Sequence, residues 1–195
     1  MKNGVPKINF FYSPIYDFLL TEYEGKHFHK KQKKEVENYI RRLQILWQKV
    51  NKPILRFLLK IFKNNWSEKE ITCYIVKYFR LSGISHPLTI KMTRNLEEAI
   101  INLVHELIHV FLPLEKWRRI SQNLVKRFPN ERPEIILHIY TDFIQLQALK
   151  KFFGKAATKK MLKKYKKFKR TGRAWKIVLR EENNLRKLFK VDLTN

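Results

Sequence analysis

Thr93-Arg-Asn-Leu-Glu-Glu-Ala-Ile-Ile-Asn-Leu-Val-His-Glu-Leu-Ile-His-Val-Phe-Leu112 reads as one helix, and the rest of the chain is interpreted from it. Asn95 can accept a bond from a first-turn N–H, and Glu98 three residues on can reach back to complete a capping box. Pro113 ends the helix, because proline cannot continue the hydrogen-bond ladder. Between those limits nearly every side chain is apolar, so the helix should be buried on most of its circumference. The exceptions are Asn102, His105, Glu106 and His109, which fall inside an arc about 100° wide. A polar stripe on a buried helix needs a reason, since unpaired polar groups inside cost several kcal/mol. These residues spell His-Glu-x-x-His. Imidazoles at i and i+4 can each give a nitrogen to one Zn2+, and the Glu beside the first can take a proton from an attacking water.

The chain has 195 residues, 44% hydrophobic and 13% aromatic, which fits one globular domain over 1–195 rather than a disordered chain. Its first residues, Met-Lys-Asn-Gly-Val-Pro, contain no apolar signal core, and no run approaches membrane-spanning length. Cys73 is the single cysteine, so neither an internal disulfide nor a cysteine-built zinc ribbon is available. A cytoplasmic monomer without membrane contact is the expectation. The formal charge is +25, and residues 150–190 hold 17 of the 42 Lys and Arg against only Glu181 and Glu182. Such a field attracts nucleic acid and other polyanions. Lysine dominates it and no recognisable nucleic-acid module accompanies it, so solvated helix faces are the first interpretation and polyanion binding the second.

Taken in order, residues 7–12 read as a short strand stopped by Ser13-Pro14, and a short helix follows over 15–23. His27 and His29 sit in a polar loop and alternate, so they share no helical face. Helical spacing from Lys34 to Lys49 is broken at Asn51-Lys52-Pro53, and a second helix starts at Pro53 and runs to Lys63. A β-rich section opens at Ser67 or Glu68. Residues 71–79 and 88–92 form its strands around a Gly83–Pro87 turn. Beyond Pro113 a helix over 114–127 puts Trp117, Ile120, Leu124 and Val125 inward. The next is capped by Asn130, admits Pro133 in its first turn and ends at Gly154. Helices over 155–169 and 172–190 carry the basic surface, the last docking through Arg173–Leu179.

A catalytic zinc takes three protein ligands and leaves one position open. Leu112 and Glu115 stand where the longer His-Glu-x-x-His-x-x-Gly-x-x-His pattern requires Gly and His, so the third ligand lies further on. Glu134, His138 and Asp142 stand one turn apart on the helix over Glu131–Phe153. His138, deeper and flanked by Ile136, Leu137 and Ile139, is preferred. Glu134, in the first turn where a carboxylate also serves the helix dipole, is the rival. If His138 is the ligand, Asp142 can orient a ligand imidazole. His86 is an outsider.

A strand, an apolar helix carrying His105-Glu106-Leu-Ile-His109, and a later helix offering a ligand resemble the zincin metallopeptidases, within them the small gluzincin-like or uncharacterised ones. The resemblance covers residues 70–153. It implies an α+β fold, mainly helical, with a small sheet beside the motif helix. It also implies zinc on His105 and His109, Glu106 as general base, and an extended peptide or protein substrate along the strand at 88–92. Gluzincins take their third ligand from Glu-x-x-x-Asp, and here either Glu134-x-x-x-His138 or His138-x-x-x-Asp142 departs from it by one residue. SprT-type proteases, with His as third ligand and DNA-bound substrates, resemble the chain in its basic surface but carry a Cys-rich module absent here. The expected activity is therefore a zinc metallopeptidase with His105, His109 and His138 on the metal. Tyr140 is available to an oxyanion but reads equally as core. The alternative is a basic nucleic-acid-binding protein with a structural or inactive metal site, using Tyr165, Phe168 and Trp175 among the lysines.

Overall fold

The computed structural model describes residues 4–29, 31–63, 68–165 and 169–190. The fold is α+β, mainly helical, with one four-stranded mixed sheet. The chain divides into two compact units, Met1–Phe111 and Leu112–Asn195.

The first unit holds β1 (Lys7–Phe11), α1 (Pro14–Tyr23), α2 (Gln32–Phe62), β2 (Glu70–Val76), β3 (Gly83–Ser85), β4 (Leu88–Lys91) and α3 (Leu96–Phe111). Sheet order is β1-β2-β4-β3, with β1, β2 and β4 parallel and β3 antiparallel to β4. Parallel neighbours need a crossover, and α1 and α2 supply it between β1 and β2. Alternation along β2 puts Ile71, Cys73 and Ile75 inside, as a strand buried on one face requires. In β4, by contrast, Leu88, Thr89 and Ile90 are all buried. Both faces of β4 are covered, and it is paired on both edges.

Ser13 accepts the Tyr16 N–H at 3.3 Å and Pro14 takes the first helical position, starting α1. Buried Asp17 then ties three elements together. It accepts the Lys77 N–H at 2.8 Å beyond β2 and the Gln32 amide at 2.8 Å at the start of α2. Tyr16 lies edge-on to Tyr74 and meets the Thr89 hydroxyl at 3.2 Å, fixing α1 on the Tyr74 side of the sheet.

Helix α2 is not broken. It runs from Gln32 to Phe62 with Pro53 inside it. Val36, Tyr39, Leu43, Trp47, Ile54, Leu58 and Ile61 form one buried stripe along its length, whereas Pro53 faces solvent. A proline inside a helix costs about 3 kcal/mol, and fully burying each large apolar side chain returns about 1.5–3 kcal/mol, so the stripe wins. Pro53→Ala is therefore expected to stabilise the protein by about 2 kcal/mol, after allowing for the looser unfolded chain. Thermal melting of the two proteins measures it directly.

Two further differences concern the hairpin and the β2 end. β2 ends at Val76, and Gly83–Ser85 is a strand rather than part of the turn, which is reduced to His86-Pro87. Three residues are too few for alternation to reveal a strand.

The second unit is α4 (Leu114–Arg127), α5 (Pro133–Phe152), α6 (Gly154–Tyr165) and α7 (Lys169–Phe189). Leu124 of α4 is buried while Val125 is 51% exposed, because successive helical residues are rotated by about 100°. The cap residue of α5 is Arg132, with Pro133 following it, so Asn130 does not cap that helix. Gly154, at φ 75°, ends it in the left-handed conformation that favours glycine. Ile135 to Leu149 make α5 the buried helix of this unit, and Ala174, Trp175, Ile177, Val178 and Leu185 form the inner stripe of α7. Arg173–Glu131 (2.9 Å), Arg127–Glu181 (2.7 Å) and Lys150–Glu182 (2.6 Å) tie α7 to its surroundings. No helix among the described residues is long and apolar enough to cross a membrane.

Candidate metal centre

Helix α3 is anchored before it starts. Asn95 accepts the Glu97 N–H at 2.9 Å, and Tyr39 of α2 exchanges hydrogen bonds of 3.1 Å with the Thr93 hydroxyl and N–H. These contacts fix the junction of β4 and α3 against α2. The capping role read for Asn95 is realised.

The polar stripe on α3 divides into two parts. Asn102 and Glu106, one turn apart, are buried at 3% and 7% exposure, whereas His105 and His109 are half-buried. The His rings stand edge to face, with their Nε2 atoms 3.3 Å apart. Two nitrogens bound tetrahedrally to one zinc at about 2.0–2.1 Å are separated by about 3.3–3.4 Å. The pair therefore already has the spacing that a shared ion demands.

Glu106 lies next to this pair in the sequence but on the sheet side of α3. Burial alone pushes its carboxyl up to about 8. It also raises the nearby Cys73 thiol, with burial the larger cause. Cys73 is a core residue of β2 at 0% exposure.

Beside Glu106 the structure reveals a residue that the sequence reading missed. Gly83 of β3 comes so close to Glu106 that a Cβ there would lie 2.9 Å from its Cγ. A lone glycine before a hairpin suggests a turn, and nothing in the local pattern says that it faces a helix residue 23 positions on.

In the second unit His138 sits on α5, half-buried. Its Nδ1 is 2.7 Å from the Glu134 carbonyl oxygen. A carbonyl only accepts, so Nδ1 carries the proton and Nε2 keeps the lone pair that a metal needs. The Glu134 backbone carbonyl thus holds the His138 ring. Asp142 is fully buried, which holds its carboxyl well above the usual range. Tyr140 is core, at 0% exposure with its ring edge-on to Phe189. His27, His29 and His86 are exposed.

The basic helices carry fewer usable aromatics than their sequence suggests. Tyr165 and Trp175 stack on each other at 5.4 Å, exposed by only 8% and 1%, so neither ring is open to a base. Phe168 lies outside the described residues.

No protein-family model matches the chain, and no curated protein or solved structure matches it.

Proposed function

We propose that this chain is a zinc-dependent hydrolase of peptide bonds. The observation that carries the proposal is the 3.3 Å convergence of the His105 and His109 nitrogens beside the buried Glu106. His138 is proposed as the third ligand, through the Nε2 whose lone pair is kept by the bond of Nδ1–H to the Glu134 carbonyl. Imidazoles suit zinc, copper, iron and nickel alike. Zinc is preferred because hydrolysis calls for a Lewis acid without redox chemistry.

Zinc held there would supply that acid to the scissile carbonyl and would bring the pKa of water towards about 7. Glu106 takes the proton of the attacking water and passes it to the leaving amine. Its dry surroundings favour that task, because a carboxylate desolvated by burial is a stronger base than one in water.

The sheet alters where a substrate would lie. β4 is paired on both sides, with β2 and β3, so it cannot present an edge to an extended peptide. The end strand β3 can, by strand addition along its outer edge. Dialysis against a chelator should abolish hydrolysis of fluorescently labelled casein, and one equivalent of Zn2+ should restore it. Hydrolysis that survives full metal removal rejects the reading.

A second reading keeps one observation in its favour. Lys155, Lys159 and Lys163 share one face of α6 and, with Lys150, Thr158 and Leu162, line an open groove of about 670 Å3. Lys150 is paired with Glu182 at 2.6 Å, so the three α6 lysines carry this reading. Polyanion binding that falls steeply with salt would mark this surface as functional.

A further inference from the structure

Gly83 has an ordinary backbone conformation, since the glycines with positive φ are Gly25 and Gly154. Conformational freedom is therefore not what position 83 requires. Space is. A Cβ at Gly83 would meet the Thr89 carbonyl oxygen at 2.7 Å, Glu106 Cγ at 2.9 Å and Glu106 Oε1 at 3.0 Å. Gly4, Gly25 and Gly154 have nothing within 4 Å of the same position. The Thr89 carbonyl belongs to the paired β3–β4 hairpin and cannot swing aside. Among these neighbours only the Glu106 side chain can yield.

We infer that Gly83 is a positioning residue for Glu106: the missing side chain lets β3 close over the Glu106 carboxyl and holds it in place on α3. The inference rests on the reading of Glu106 as the general base, although the contact itself does not. The backbone of β3 acts as a wall, and any larger residue at 83 moves the carboxyl from its place on the sheet side of α3. Position 83 thereby links the sheet edge proposed for substrate to the group proposed to activate water.

The test is a double-mutant cycle of Gly83→Ala and Glu106→Ala, read by the melting temperature of metal-free protein and by Zn2+ affinity in competition with a chromophoric chelator. Gly83→Ala is expected to lower the melting temperature by about 5 °C or more when Glu106 is present. In the Glu106→Ala background the same change should cost clearly less, the remainder being the Thr89 carbonyl contact, which persists there. Zinc affinity should stay near the parent's in Gly83→Ala while hydrolysis of labelled casein falls, because the displaced group is the base and not a ligand; a merely local defect in the hairpin would leave both unchanged. A Gly83→Ala chain that folds only when Glu106 is also replaced would count the same way. Equal losses in both backgrounds, or failure of both to fold, would place the whole conflict at the Thr89 carbonyl and overturn the inference. A parent protein that takes up no zinc would sink the metal reading, while the melting cycle still decides the role of Gly83.

Discussion

Glu106→Gln is expected to keep about one zinc per chain and to lose peptide hydrolysis by a factor of about 10²–10⁴, the usual contribution of a positioned general base. The amide has the volume of the carboxyl but cannot accept the water proton, so packing against β3 survives while the chemistry does not. Stability gives the same variant a second signature. The Glu106 carboxyl ionises at about 8 in the folded metal-free protein against 4.5 ordinarily, because burial disfavours its charge. Below the ordinary value the group is protonated in both states, and folding is indifferent to it. As pH rises from there the unfolded chain ionises first, so the parent loses stability relative to the Gln variant. The difference stops growing above the folded value. At pH 7 the Gln variant should be more stable by about 3 kcal/mol without metal. Denaturant melts of both proteins at several pH values measure this, and a difference independent of pH would show that Glu106 is not buried as a carboxyl.

His138→Ala is expected to weaken zinc binding by well over about 100-fold, more than the 10–100-fold typical of losing an outer hydrogen-bond partner. Glu134→Ala should change it far less. The Glu134 group that holds the His138 ring is its backbone carbonyl, which an alanine keeps. Chelator competition on the two variants separates them. Loss in Glu134→Ala with retention in His138→Ala would make the carboxylate the ligand and return the site to the two-His-one-Glu type.

Much of the candidate site is legible in the sequence because its signals are local. Asn95 and Pro113 bound α3, and the spacing of His105 and His109 puts them one turn apart. The outcome differs where long-range packing decides. Pro53 normally ends a helix, yet the buried stripe from Val36 to Ile61 continues α2 past it. Val125 looks like a partner of Leu124 but is carried round to solvent. Gly83 looks like a turn glycine, and only the closeness of β3 to α3 shows what it makes room for. The tautomer of His138 depends on a carbonyl one turn earlier, which no residue type encodes. Tyr165 and Trp175 look free to stack on a ligand because composition cannot tell a core aromatic from an exposed one.

The most direct test of the central claim is the metal content of the purified protein, measured beside His109→Ala. About one zinc per parent chain and none in the variant is the predicted result. A parent that holds no zinc after incubation with the ion, or a variant that holds as much as the parent, would contradict the account and leave α3 as a buried helix with a polar stripe.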